Sequence, residues 1–593
     1  MKIETVLLLS ATALSMAMSL DQKTDDCPST CDCERTDYGL HVTCNGGGIT
    51  DIKLQTIFRH IPKDVAVLEI IGPEDNENKF SLNGDIARFS TLRQLHLVNC
   101  GLPSLGKHIF RGMTALRTLN LQRNRIEYAS ESSFDGLENL EYLDLSYNWM
   151  HRQRLPTGVF SRLRSLRSLS LAHNGMTHFS NNLLSGLARL ETLILDGNRP
   201  TPHDLSTLFI DAPNLTRLEV NHCRLKTLDE LQFDKAPRLH TVGLGWNDLS
   251  YVRSIDLKPL LNLTSLDLSG NSIATIPPCA FCGFSIHTLS LAYNKLGDCY
   301  SVNATVPGES LQPLSFESLP LYELDLSFNN FKQFDSSALG VAQKTLRILH
   351  LSGNPLETIS SDAIRGLKLK GLHAAQIGKS VIPYFLPLEF ERLAFLNLSG
   401  NELDVFPEEV ASLFGGDLRT LDVSNNELTT MPDAITYLNT VYLNDNPWDC
   451  RCHLGPMRDY MLRKDNYQRR SALGYDRVRC STPPAVRNET VASLTRPLDC
   501  AVLFGASYGL SQASELGILL AGMLAAILLA AVVVAATCYT REQRHKGSYQ
   551  TREDSRCHLN PNNLDPSSSD ISPISPYTPP STLPISQKDE RLF

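Results

Sequence analysis

Basic charge is in short supply in this chain of 593 residues. Lys and Arg number 55 against 64 Asp and Glu, the formal net charge is −9, and nowhere do basic residues gather into a stripe. That argues against nucleic acid as a partner. Signatures of common catalysts are missing as well: no P-loop, no HExxH and no kinase motif occurs. Two fragments imitate chemistry. Gly505-Ala506-Ser507-Tyr508-Gly509 spells GxSxG, but a nucleophile elbow needs a strand, a sharp turn and a helix within a large α/β domain. The stretch between Cys500 and the apolar run that begins at Leu516 leaves no room for one. Cys279-Ala280-Phe281-Cys282 spells CxxC, yet a structural zinc site needs a second ligand pair, and none is near. The sequence therefore points to no enzyme, no metal and no cofactor.

What is present is a repeat. The pattern LxxLxLxxN, as in Leu116-Arg117-Thr118-Leu119-Asn120-Leu121-Gln122-Arg123-Asn124, recurs about every 24 residues, with first positions at Leu92, Leu116, Leu140, Leu166, Leu190, Leu215, Leu239, Leu263, Ile286, Leu321, Leu346, Leu369, Leu393, Leu418 and Leu438. A sixteenth, degenerate copy begins at Val65. This consensus reads as a leucine-rich repeat. Alternating leucines on a short strand point to one side, and the ninth-position Asn carries donors and an acceptor for backbone groups left over at the turn. One unit cannot stand alone, so stability comes from stacking. The expected fold is an α/β-type solenoid: a curved leucine-rich-repeat horseshoe with a parallel concave sheet. Phe110, Phe134, Phe160, Phe209 and Phe233, each six residues before the next first leucine, are expected to form a buried spine. The step from Ile286 to Leu321 holds an insertion that includes Asn303, and the repeat at Leu369 is irregular, with Ala374 and Ile377 where Leu and Asn belong.

Compartment signals flank the array. Residues 1–19 suit a secretory signal peptide, with Lys2, an apolar run and small residues. Residues 516–539 carry no charge and are followed by Arg541, Arg544 and Lys546. That length crosses a hydrocarbon core of about 30 Å, and the positive flank places the C-terminus in the cytoplasm. A single-pass type I protein of the plasma membrane is the expectation. Thirteen of the fifteen cysteines precede this run, and eight of them cluster near the two ends of that preceding segment, as Cys27, Cys31, Cys33 and Cys44, and as Cys450, Cys452, Cys480 and Cys500, which fits an oxidising compartment. Sequons at Asn214, Asn262, Asn303, Asn397 and Asn488 fall in the same segment.

The C-x3-C-x-C-x10-C spacing of Cys27–Cys44, and the run Asn446-Pro447-Trp448-Asp449-Cys450-Arg451-Cys452-His453-Leu454, resemble the caps of extracellular leucine-rich-repeat proteins with paired cysteine-rich ends. The resemblance covers roughly residues 27–500. It implies the pairings Cys27–Cys33, Cys31–Cys44, Cys450–Cys480 and Cys452–Cys500, which spacing alone leaves open. In architecture the chain is similar to insect adhesion and recognition receptors of the Capricious and Tartan type. The expected organisation is a signal peptide (1–19), an N-terminal cap (20–64), repeats (65–446), a C-terminal cap (447–500), a juxtamembrane linker (501–515), a membrane helix (516–539) and a disordered tail (540–593). Of the remaining outer cysteines, Cys100 and Cys223 stand at ninth positions and are expected as buried thiols. Cys299 is expected to pair with Cys279 or Cys282.

Positions two, three, five, seven and eight are expected to face away from the leucines. The eighth position gives Tyr147, His173, Gly197, His222, Trp246, Gly270, Tyr293 and Phe328 in succession, and stacking brings these into one column. Tyr147, His173, His222, Trp246, Tyr293 and Phe328 are the candidate partner-binding residues, because exposed aromatics anchor interfaces; the plainer alternative is that they only cover the sheet. Arg93, His96, Arg117 and Arg123 make the first repeats basic on this face, with Glu141, Asp144, Glu191, Glu219, Asp267 and Asp325 following. A glycan on Asn397, at a fifth position, would obstruct the later repeats. In the tail, Ser572, Ser575 and Thr578 precede prolines and are candidate phosphorylation sites, the PxxP segments can present a polyproline helix to an adaptor, and Cys538 is a candidate for palmitoylation.

The function expected from these residues is a cell-surface recognition or adhesion receptor whose concave face binds an extracellular protein, or the same protein on another cell. The alternatives are a co-receptor modulating another receptor or growth factor in its own membrane, and an innate-immunity receptor without a TIR domain.

Overall fold

The computed structural model describes residues 27–494, apart from 153–154, 229–230, 278–279, 298–315, 317–318, 335–338, 360–366, 379–391 and 452–453. The signal peptide, Asn303, Cys279, Cys299, Cys452, Cys500, the linker, the expected membrane run and the whole tail with Cys538, Ser572, Ser575 and Thr578 lie outside the described residues. No helix among the described residues is long and apolar enough to cross a membrane.

Each repeat contributes one short strand, and the strands assemble into a sheet of eighteen. It begins with an antiparallel hairpin, Asp32–Thr36 against Gly39–Cys44, and every later pairing is parallel, through Val65–Ile71, Gln94–Val98, Thr118–Asn120 and onward to Thr440–Tyr442. The degenerate segment at Val65 thus supplies a full strand. Register is set by the fourth-position leucines, Leu95 opposite Leu119 and Leu119 opposite Leu143, because a one-residue slip would turn every leucine to the wrong face. At the irregular repeat the strand Gly371–His373 keeps both neighbours, and Ala374 and Ile377 are fully buried. There the smaller Ala is accommodated without loss of the ladder.

Beneath the sheet lies one continuous apolar core. Phe110, Phe134, Phe160, Phe209 and Phe233 are buried in it, with ring centroids 5.6 Å apart for Phe134–Phe160 and 5.9 Å for Phe209–Phe233. The ninth-position asparagines form a second, polar spine. Asn271 donates from Nδ2 to the carbonyls of Leu244 (3.0 Å) and Leu268 (2.9 Å) while its Oδ1 accepts from Leu249 N–H (3.0 Å). One amide therefore closes three backbone groups in two successive repeats, which a buried turn requires. Cys100 and Cys223 take the same place with a weaker donor, their sulfurs 3.3 Å from the carbonyls of Ile70 and Asn221. Burial pushes both thiols up to about 12.

Disulfides join Cys27 to Cys33, Cys31 to Cys44 and Cys450 to Cys480, and Cys282 is also disulfide-bonded. At the start, the helix Asp51–His60 buries Leu54, Ile57 and Phe58, with Phe58 edge-on to Phe89 at 5.4 Å. After the last repeat, buried Trp448 and Tyr475 donate to the carbonyls of Leu443 (3.0 Å) and Val441 (3.1 Å). These bonds dock the following segment onto the end of the array.

Candidate binding face

Strands in the middle of the array span only the third to fifth positions, as in Tyr142–Asp144 or Thr241–Gly243. The eighth position therefore lies three residues beyond the strand. The structure places the aromatic column along the margin of the sheet, past the C-terminal ends of its strands, rather than on the strands as the alternation alone implied. The reason is a backbone kink. In all fifteen repeats the eighth residue has a φ between 53° and 69°, and in every repeat but the last its N–H donates to the seventh-position carbonyl of the next repeat, for example Tyr147 to Ala172 (2.8 Å) and Tyr293 to Ser327 (2.8 Å). The left-handed kink extends the inter-repeat ladder and turns the following Asn inward.

Left-handed backbone costs a residue with a β-carbon roughly 1–2 kcal/mol, and glycine or asparagine relieves this. Gly197, Gly270, Gly353, Gly400, Asn99 and Asn425 do so here. Tyr147, His173, His222, Trp246, Tyr293 and Phe328 do not, and they stack instead. Tyr147 lies on His173 (centroids 4.3 Å), His222 on Trp246 (5.5 Å), Trp246 near Tyr293 (5.4 Å) and Tyr293 on Phe328 (4.3 Å). Arg123 sits over Tyr147 at 5.7 Å. The intervening glycines are seats for these rings rather than gaps: a β-carbon on Gly197 would stand 2.2 Å from His173 Nδ1. Stacking contributes about 0.5–1.5 kcal/mol per pair, so it offsets the kink. It does not account for the rings' exposure. Tyr147, Trp246 and Tyr293 remain 48 %, 48 % and 46 % exposed, His222 is exposed, and His173 and Phe328 are half-buried.

The sheet beside this ridge is polar. Three of its arginines are paired: Arg117 with Glu141 (3.5 Å), Arg167 with Glu191, and Arg217 with Glu219 (2.8 Å). The carboxyl of Glu219 is raised, first by burial, with Asp196 and Asp267 adding to the rise against Arg217 and Asn221. At the N-terminal end His41 faces Glu69 at 3.6 Å, and the Nε2 of neighbouring His96 is buried without a hydrogen-bond partner. Burial holds His96 below its usual range. Toward the other end runs a second stack that the sequence reading did not single out: His350 on His373 (4.1 Å) and His373 against Phe395 (4.5 Å). His350 Nε2 is 3.1 Å from Glu323. Burial, then the neighbouring His350, lower His373 to about 4, with Asp325 opposing. The signal was readable, since His350 and His373 occupy fifth positions and Phe395 the third position of successive repeats.

Three of the sequon side chains are engaged. Asn214 and Asn262 donate from Nδ2 to the carbonyls of Ala188 (2.7 Å) and Pro237 (3.1 Å). Asn139, at the same place in its repeat but in no sequon, does the same to Thr114 (3.0 Å). The first two asparagines therefore have a structural task whether or not they carry glycan. Asn397 is half-buried on the sheet, its Oδ1 accepting from Ser399 N–H (2.9 Å), and Asn488 is exposed. Among the described residues no cluster of three or more His, Cys, Asp or Glu can hold a metal ion.

Comparison with known proteins agrees with the repeat fold. Family models for the leucine-rich repeat match residues 90–150, 152–199, 262–284, 345–367 and 417–438. The chain is similar to Tsukushi of Mus musculus, 31% identical over 262 residues that cover 40% of this chain and 70% of that protein. It is also similar to transforming growth factor beta activator LRRC33 of Danio rerio, 28% identical over 291 residues that cover 45% of this chain and 41% of that one. The match thus spans less than half of the activator's own length. Among solved structures, the crystal structure of a TLR13–ssRNA13 complex aligns with a TM-score of 0.50 at 22% identity, covering 77% of this chain and 63% of that one. That likeness is one of fold.

Proposed function

Because the chain belongs to the leucine-rich-repeat family, we propose that it is a cell-surface recognition or adhesion receptor that binds a protein partner along the aromatic ridge of its repeat array. In this reading the caps close the array, the membrane run at 516–539 anchors it, and the tail recruits adaptors or serves as a plain anchor. One observation carries the proposal: a row of rings held at unfavourable backbone angles and kept half in water. A residue retained in a strained conformation at an exposed position points to use, and large half-exposed aromatics are favoured anchors of protein interfaces.

The test is a binding screen. Cells expressing the full chain are exposed to multimerised cell-surface and secreted proteins, this protein included. A partner that is captured by the native chain and lost when Tyr147, Trp246, Tyr293 and Phe328 are changed to Ala supports the reading. A partner retained by that variant moves the site elsewhere.

A second reading is favoured by one of the relatives. The similar protein from Danio rerio is named a growth-factor activator, which supports a co-receptor acting on a growth factor or on another receptor in its own membrane. Cell aggregation separates the two. An adhesion receptor clusters the cells that express it and still does so without residues 540–593, whereas a co-receptor clusters none.

A further inference from the structure

Resting on the ridge as the binding surface, we infer that the segment of the partner that lies on it is basic, presenting Lys or Arg alternately with apolar side chains. The ridge supplies the apolar half of this complementarity and the neighbouring strip of sheet supplies the charge. The fifth position ends each strand and the seventh lies between it and the ridge. In all fifteen repeats neither position carries Lys or Arg, while Asp144, Asp196, Glu219, Asp267, Asp325 and Asp422 are carboxylates. Of the arginines farther back, at the second and third positions, Arg117, Arg167 and Arg217 are paired with Glu141, Glu191 and Glu219. Arg217 thus neutralises Glu219, while among the described residues the five aspartates of the strip are in no salt bridge.

Local geometry sharpens the fit around Trp246. Its repeat has glycine at both outward positions, Gly243 and Gly245. Without β-carbons there, the neighbouring acids lie close against the backbone: a β-carbon on Gly243 would stand 1.8 Å from Glu219 Oε2, and one on Gly245 would stand 3.0 Å from Asp267 Oδ2. The Glu219 and Asp267 carboxylates thus lie against the backbone of the repeat whose eighth residue is Trp246. Asp267 and Asp325 each use Oδ1 to accept a backbone N–H, from Ser269 (2.8 Å) and Ser327 (2.9 Å), which fixes each carboxylate, and among the described residues neither is in a salt bridge. A cation on a long aliphatic stem matches this arrangement. Its stem lies along the exposed part of the Trp246 indole, and its head meets Asp267. An acidic or purely apolar partner would leave these carboxylates desolvated without compensation.

The experiment uses the full chain and three short peptides: arginine alternating with leucine, the same peptide with citrulline for arginine, and the same with glutamate. The arginine peptide is expected to bind, about tenfold more tightly than the citrulline peptide, and to weaken as salt is raised. Asp267→Asn with Asp325→Asn keeps both Oδ1 acceptors and is expected to weaken it about tenfold, as is Trp246→Ala. Equal binding of the three peptides, preference for glutamate, or no binding would overturn the inference. A library partner that Trp246→Ala loses but the double Asn variant binds unchanged would also overturn it while leaving the ridge standing. A partner indifferent to both variants removes the ridge itself.

Discussion

The indole of Trp246 lies across Gly270, so close that a β-carbon at Gly270 would stand 2.4 Å from the indole Cδ2. The same ring reaches on to Tyr293, with centroids 5.4 Å apart. Gly270 is therefore what allows the ridge to bridge a repeat that has no ring of its own. Its φ of 64° adds a second demand for glycine. Gly270→Ala is expected to lower stability by about 1–2 kcal/mol from the backbone alone and to displace the indole. Urea unfolding and quenching of Trp246 emission, with Trp149 and Trp448 replaced by Phe, measure the two effects separately.

Asparagine and cysteine at the ninth position are not equivalent. Asn271→Ala strips two carbonyls and one N–H of their partner inside the core and is expected to cost at least about 2 kcal/mol. Cys223→Ala is expected to cost about 1 kcal/mol, because the Cys223 N–H still donates to Asn247 Oδ1 at 2.9 Å. Denaturant midpoints of the two variants, measured side by side, check the order.

Acid should loosen the later repeats. His373 is lowered from its ordinary 6.5 to about 4 by burial and by His350. Below about pH 6.5 the unfolded chain takes up a proton that the folded chain refuses, so stability falls as the pH drops from there toward 4 and changes no further below it. Asp325 pulls the other way. His373→Gln is expected to flatten the dependence. Unfolding midpoints at pH 7 and pH 5, in both proteins, decide it.

Neither Cys100 nor Cys223 should react while the protein is folded. Both are buried and their thiols stand at about 12, so almost no thiolate is present at neutral pH. Iodoacetamide labelling followed by peptide mass spectrometry is expected to leave both unmodified in buffer and modify both in denaturant.

Much of this fold is readable from residues because buried positions obey strict rules. The leucine register and the asparagine spine follow from strand alternation and from the need to satisfy a buried turn, so both match what the repeat implies. The position of the ridge was harder to read. Tyr147 and Trp246 are picked out by counting to the eighth residue, but alternation carries that count onto the sheet face. The left-handed kink that moves them to the margin is imposed by hydrogen bonds to the next repeat, which a single repeat does not display. Asn214 and Asn262 show the converse case. Their sequons were legible, while their bonds to Ala188 and Pro237 became apparent only once repeats were stacked and Asn139 was seen making the same bond. The His350–His373 stack is present in the sequence as like positions in adjacent repeats, but the contact depends on the irregular repeat at Leu369 keeping its strand beside Ile348–His350.

The most direct test of the ridge is a comparison of affinities for a captured partner. The native chain is measured against Trp246→Ala with Tyr293→Ala, and against Tyr38→Ala with Tyr437→Ala, two exposed aromatics away from the ridge. The expected result is a loss of about tenfold or more for the ridge pair and no change for the other. Equal affinity in the ridge pair, or a loss confined to Tyr38 and Tyr437, would contradict the assignment of the binding surface.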